Sequence, residues 1–195
     1  MALAEVTPLP SPLGPSDATL VAAAREGERW AREALFRRHA PRVNRLAFRL
    51  LGRDAEVDDV VQDAFVQALE TLGRLKDPSA FGGWLSSMVV GRVAKVIRKR
   101  RLLLRLGLRG RSEPISLDEL IGRECPADVA AELRAIYGLL ESMPAEVRIT
   151  LILRRVEGST IEEVAELVHA SPATVKRRLA RAEELLREFR GRDAS

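Results

Sequence analysis

The chain has 195 residues, of which 46% are apolar, 4% aromatic and 31% charged, with a formal net charge of +4. That is enough material for one folded domain or two small ones, and so few rings argue against a large aromatic-lined ligand pocket. A single cysteine, Cys125, excludes an intramolecular disulfide and a multi-cysteine zinc site; with only His39 and His169 beside it, no metal and no cofactor is expected.

Residues 1–16, MALAEVTPLPSPLGPS, read as a disordered Pro-rich tail. It lacks the basic-then-apolar layout of a signal peptide, and no run approaches a bilayer span, so a cytoplasmic, reducing location is expected. Helix is predicted to begin near Asp17 as N-cap and to cover 18–38 and 41–51, with Gly52 as C-cap. Leu35, Phe36, Val43, Leu46, Ala47, Leu50 and Leu51 would face a common core.

A third helix starts at Asp58, DDVVQDAFVQALETLG, burying Val61, Ala64, Phe65, Ala68 and Leu72. Asp59, Gln62, Asp63, Val66 and Gln67 lie outside that stripe. An exposed valine among carboxylates and amides suits a basic, partly apolar partner, yet acids in a first turn also simply favour the helix dipole, and the residues alone leave both readings open. After a loop over 73–83, a fourth helix, WLSSMVVGRVAKVIRKRR, packs Trp84, Leu85, Met88, Val89, Val93 and Ile97 inward. It presents Arg92, Lys95, Arg98, Lys99, Arg100 and Arg101 as an edge suited to a phosphate backbone. Trp84 reads as core rather than as a base-stacking platform. Between 54 and 70 there are acids and no bases, and between 92 and 111 the reverse holds, which points to one surface for a polyanion and another for a basic partner.

Amphipathic order lapses from 103 to 128, the expected linker, with the leucines at 102–104 ending the preceding helix or forming a docking contact. Helices are predicted over 129–143 and from Pro144 to a stop at Gly158. Residues 159–189 then form two helices around a short turn, His169, Ala170 and Ser171. The first buries Ile161, Val164, Ala165 and Val168. The second, capped by Ser171 with Pro172 at its first position, buries Val175, Leu179, Ala182 and Leu186. At about 100° per residue its opposite face carries Ala173, Lys176, Arg177, Ala180 and Arg181. Small residues between long cations let the backbone approach base edges, and arginine forks can bridge guanine or clamp phosphate. A merely solvated face is the competing reading. The first two turns carry only positive charge and the turn is short, as in a DNA-binding helix-turn-helix, which favours groove binding.

HAPRVNRLAFRLLG, DDVVQDAFVQALETL and AFGGWL, followed by SMPAEVRITLILRRVEGSTIEEVAELV and SPATVKRRLARAEELL, resemble the bacterial extracytoplasmic-function (ECF) sigma factors over about 17–189. The resemblance implies an all-α fold of two small domains: 17–102 with four helices and 129–195 with the helix-turn-helix, joined by a flexible linker over 103–128. It implies docking of Asp59, Gln62, Asp63 and Val66 on the beta-prime clamp helices of core RNA polymerase, with a further contact to the beta flap. Lys76, Ser79, Arg92, Lys95, Arg98 and Lys99 would open the minus-ten element of promoter DNA. Ser171, Thr174, Lys176, Arg177 and Arg181 would read the minus-thirty-five element. An anti-sigma factor is an expected partner, a small-molecule substrate is not, and no nucleophile, base or phosphate loop supports an enzyme. Three positions depart from the family pattern: Gly91 replaces a frequent asparagine, Lys95 a frequent acid or amide, and His169 a frequent glycine, which hints at a positive φ there. The rival is a self-sufficient helix-turn-helix repressor or activator, which explains the second half but not the acidic and basic helices of the first. An RNA-binding module is weaker still, for want of aromatic residues.

Overall fold

A computed structural model describes residues 14–52, 56–107 and 126–193. Among them the fold is all-α: α1 Asp17–Arg25, α2 Arg29–Leu51, α3 Val57–Glu70, α4 Phe81–Arg105, α5 Ala127–Ser142, α6 Ala145–Arg155, α7 Ile161–Leu167 and α8 Pro172–Asp193. Two 3₁₀ turns, Leu72–Arg74 and Pro78–Ala80, join α3 to α4. No helix among the described residues is long and apolar enough to cross a membrane.

Ser16, not Asp17, caps α1, its Oγ accepting the Thr19 N–H at 3.2 Å. Asp17 is instead committed to two basic side chains of α2, Arg38 at 2.7 Å and His39 at 2.9 Å. The expected break near 39–40 is absent. The chain turns at Gly27, where φ is +94°, and α2 then runs straight through Pro41. Proline forfeits one backbone bond, but its φ is helical, and Leu35, Val43, Leu46, Ala47 and Leu50 hold the helix by burial on either side of it. Phe36, expected inside, is 47% exposed and covers Phe65 from outside, ring centroids 4.7 Å apart.

The α3 stripe is buried as expected, with Val57 and Val60 added to it. α4 starts three residues before Trp84, because Asp77 accepts the Ser79 N–H at 2.9 Å and feeds the Pro78 turn directly into the helix. Phe81, Leu85, Val89, Val93 and Ile97 then stack against α1, α2 and α3. At the far end α4 continues to Arg105 with Leu102 and Leu104 exposed, and α5 resumes at Ala127. Helix therefore takes up both ends of the expected linker, whose middle, 108–125, lies outside the described residues, as does most of the expected tail, 1–13.

α6 is the element shared by both halves. Ala145, Ile149, Ile152 and Leu153 join the cluster built by α1–α4, while Val147 and Leu151, with Met143 and Ala182, form a second cluster between α5 and α8. Residues 147–153 of this helix are buried on every side, between the two clusters, while Glu146, Arg154 and Arg155 at its ends reach solvent. Its one basic side chain in this buried stretch, Arg148, is 4% exposed and donates from Nη2 to the Leu51 carbonyl at 2.9 Å. That carbonyl belongs to the last turn of α2, whose final oxygens lack helical partners and carry the negative end of the dipole, so a cation is well placed there. Gly52 makes the approach possible: φ is +67°, and a Cβ would sit 3.3 Å from Tyr137 and 3.4 Å from Arg148 Nη2.

Two glycines in helical surroundings should therefore respond oppositely to alanine. Gly52→Ala is expected to lower the unfolding free energy by at least about 1 kcal/mol, the cost of a left-handed residue with a Cβ. Gly91, exposed inside α4 with open space around it, should gain roughly 0.5–1 kcal/mol from the same change. Chemical denaturation of the two variants checks the signs.

Candidate nucleic-acid interface

α7 and α8 form the predicted helix-turn-helix. Thr160 and Glu163 close a capping box at the start of α7, with Oγ1 accepting the Glu163 N–H at 3.1 Å and the Glu163 carboxylate accepting the Thr160 N–H at 2.7 Å. Glu163 is held below the usual carboxylate range, first by that backbone bond and then by the Thr160 hydroxyl. His169 does take a positive φ, +49°, where the chain turns between the two helices. Ser171 Oγ accepts the Thr174 N–H at 3.2 Å at the start of α8, and the two hydroxyls lie 3.0 Å apart.

Beyond that cap Val175 and Ala182 are fully buried, with Leu179 and Leu186 packed beside the two clusters. Ala173, Lys176, Arg177, Ala180 and Arg181 are all exposed, one contiguous face. Arg181 is braced along the helix by Glu184 at 2.9 Å and Glu188 at 3.9 Å, and the Glu184 hydrogen bond raises its pKa further. Arg178, by contrast, is half-buried and turned toward Glu146 of α6.

In the first half, Asp59, Gln62, Asp63 and Val66 lie exposed along α3, Val66 at 49%. α4 runs beside them, and Arg92 reaches across to Asp63 at 2.6 Å and to Gln67 at 3.2 Å. The structure thus ties one expected DNA contact to the expected protein-docking face, a pairing the sequence blocks concealed. Lys95 and Lys99 are exposed on α4, Arg100 pairs with Glu56, and Arg98 with Glu146 at 2.6 Å. Lys76 and Ser79 are exposed in the loop before α4; the Ser79 hydroxyl donates to Asp77 at 2.6 Å and, with the Ser79 N–H, lowers the Asp77 pKa. Trp84 packs on the core, 6.3 Å from Phe81 between centroids, with part of its ring in a cleft.

That cleft, about 870 Å³, is a feature sequence reading missed. Arg42, Lys76, Asp77, Trp84 and Ser87 form one wall, and Glu157, Glu163, Glu166 and His169 form the other. Two ion pairs join the halves, Arg49 with the cleft residue Glu157 at 2.6 Å and Arg98 with Glu146, neither of which lines the cleft. Their partners stand 108 and 48 residues apart, beyond the reach of any periodicity. Among the described residues no cluster of His, Cys, Asp and Glu could hold a metal.

A helix-turn-helix with an exposed cationic face, preceded by an acidic and a basic helix laid side by side, is the arrangement of a DNA-recognition protein. Residues 35–102 match the model for Sigma-70 region 2, and residues 133–186 match that for Sigma-70, region 4. The chain is 32% identical over 181 residues to the ECF RNA polymerase sigma factor SigM of Mycobacterium tuberculosis, covering 90% of this chain and 85% of that one. It is 28% identical over 165 residues to SigE of Mycolicibacterium smegmatis, of which it spans 63%. Among solved structures, CnrH in complex with the cytosolic domain of CnrY superposes with a TM-score of 0.58 at 25% identity, over 92% of this chain and 99% of that one. The chain belongs to the ECF RNA polymerase sigma factors.

Glu146 supplies a pH test of the joint. Partial burial pushes its carboxyl up, but its backbone hydrogen bond, the Arg98 hydrogen bond and the fields of Arg98 and Arg178 outweigh that and hold it below the ordinary 4.5. With a lowered folded pKa, its stabilising contribution is complete above 4.5 and is lost as pH falls through the lowered value. A carboxyl-detected NMR titration should place Glu146 below ordinary glutamates, and Arg98→Ala should move it upward; an unmoved midpoint would remove Arg98 as a cause.

Proposed function

We propose that this sigma factor divides its work between the two halves the resemblance implies, 17–102 and 129–195, joined through 103–128. Membership of the family makes it a transcription initiation factor that takes RNA polymerase to promoter DNA. In our reading the outer face of α3, with Asp59, Gln62, Asp63 and Val66, docks on the beta-prime clamp helices, and the C-terminal half rests on the beta flap. Lys76, Ser79, Lys95, Arg98 and Lys99, with Arg92 once it leaves Asp63, hold the opened strand of the minus-ten element. Ser171, Thr174, Lys176, Arg177 and Arg181 read the minus-thirty-five element as duplex.

The observation that carries this reading is the opposition of charge on neighbouring helices. The acids of α3 and the bases of α4 lie on one four-helix body yet serve surfaces of opposite sign. A repressor that reads an operator alone has no use for that arrangement. Strand opening needs no covalent step, so the chain contributes binding energy and no catalysis of its own, and it acts in the cytoplasm, where polymerase is found. An anti-sigma factor fits as a partner, and the similar CnrH is itself bound to another protein, the cytosolic domain of CnrY. Gly91 offers no side chain to an extruded base, although the surrounding space would admit one.

Core polymerase and a randomised promoter library test the reading through start-site selection. Asp59→Arg with Asp63→Arg should abolish the complex with core enzyme while leaving the helical circular dichroism unchanged. Arg177→Ala should alter upstream-element preference by about 1–3 kcal/mol, the worth of one bidentate base contact. Without polymerase, binding to duplex should be weak and should fall steeply with salt.

A further inference from the structure

We propose that the far end of α4 is a membrane-surface element, which seats bare leucines and cations in the headgroup layer of an anionic bilayer.

One apolar and one electrostatic observation carry this. Leu102, Leu104 and Leu106 are 57%, 62% and 61% exposed and belong to neither apolar cluster. A lone exposed leucine is ordinary, but three at one helix end form a patch. At about 100° per residue Leu102 and Leu106 stand close together on one side of the helix and Leu104 on the other. Among the described residues neither side is covered.

The cations divide at the same place. Upstream, Arg92, Arg98 and Arg100 are each tied to a carboxylate, that of Asp63, Glu146 and Glu56 in turn. Lys99, Arg101 and Arg105 form no ion pair among the described residues. The sequence holds no acid between 92 and 111, and it adds Arg109 and Arg111 to the run.

An occupant has to satisfy both the leucines and the charge. A nucleic-acid backbone would neutralise the cations and leave the leucines in water. A groove on a folded protein covers one face of a helix, whereas these leucines stand on two. The boundary between lipid headgroups and acyl chains meets both needs, because it closes around a short apolar helix end while its phosphates receive cations that stretch outward on apolar stems. The helix lies in that boundary and does not cross it, being neither long nor apolar enough to span. Apart from Lys99, this surface is separate from the promoter and polymerase contacts proposed above.

Co-sedimentation of the full chain with vesicles at low salt tests the proposal, using phosphatidylcholine alone and phosphatidylcholine with about one third phosphatidylglycerol. The mixed vesicles should take up the chain and the neutral ones should not. Leu102→Ser with Leu104→Ser and Leu106→Ser leaves every charge in place and touches neither cluster, and it should weaken binding about tenfold or more. Arg101→Gln with Arg105→Gln should cost about fivefold for each cation, and Arg32→Gln with Arg37→Gln, the same charge taken from exposed positions on α2, much less. Helical circular dichroism should be the same for every variant. Failure to bind the mixed vesicles, equal uptake by neutral ones, or a leucine variant that binds as its parent does overturns the proposal. A leucine variant that keeps its vesicle affinity but loses core polymerase, or loses self-association, overturns it too and gives the leucines to that protein partner.

Discussion

Burial of residues 147–153 of α6 on every side is the constraint from which the rest of the structure follows. A helix with Ala145, Ile149, Ile152 and Leu153 in one cluster and Val147 and Leu151 in another cannot be left facing water, so each half supplies a wall for it. Arg148 is the polar cost of that arrangement, and the free carbonyl at the end of α2 satisfies it. The same geometry favours Gly52, whose φ of +67° strains any side chain and where a Cβ would crowd Tyr137 at 3.3 Å. One joint thus fixes a helix end, a glycine and the relation between the two halves.

Around that joint, charge is sorted by helix. α3 presents carboxylates, α4 guanidinium and ammonium groups, and the opening turns of α8 present cations set among alanines. Adjacent surfaces of opposite sign attract one another, and the Arg92–Asp63 pair is the result. Gln67 holds the same guanidinium at 3.2 Å, so Arg92 is tied to α3 at two points. Arg181 and Arg98 are restrained in the same manner by Glu184 and Glu146. These cations are therefore held in defined positions rather than left to wander, at a strength that solvent-exposed pairs make easy to break.

Much of this was legible in the chain itself, because it depends on local pattern. The stripes of α3, α4, α7 and α8 and the caps at Gly52 and Ser171 follow from spacing and residue chemistry within a few positions, whereas the positive φ at His169 was implied by the family resemblance. The errors came where tertiary contacts overrode local preference. Asp17 looked like a cap but was claimed by Arg38 and His39, leaving the role to Ser16. Pro41 looked like a boundary, yet burial on both sides carried α2 through it. Phe36 looked like core and became a cover for Phe65. The ion pairs between the two halves, Arg49–Glu157 and Arg98–Glu146, join residues whose separation carries no periodic signal, and Arg148 reads in the sequence as one more charge in an amphipathic helix. Glu157, Glu163 and Glu166 come together on one wall of the cleft only in space.

Whether the two halves truly share the α6 joint in the free protein decides the account. Spin labels at Glu70 of α3 and Arg187 of α8, both exposed, report it directly in a chain carrying Cys125→Ser. A single narrow distance distribution for the free chain, replaced by a longer one on addition of core polymerase, is the predicted result. A broad distribution in the free chain, unchanged by polymerase, would contradict it.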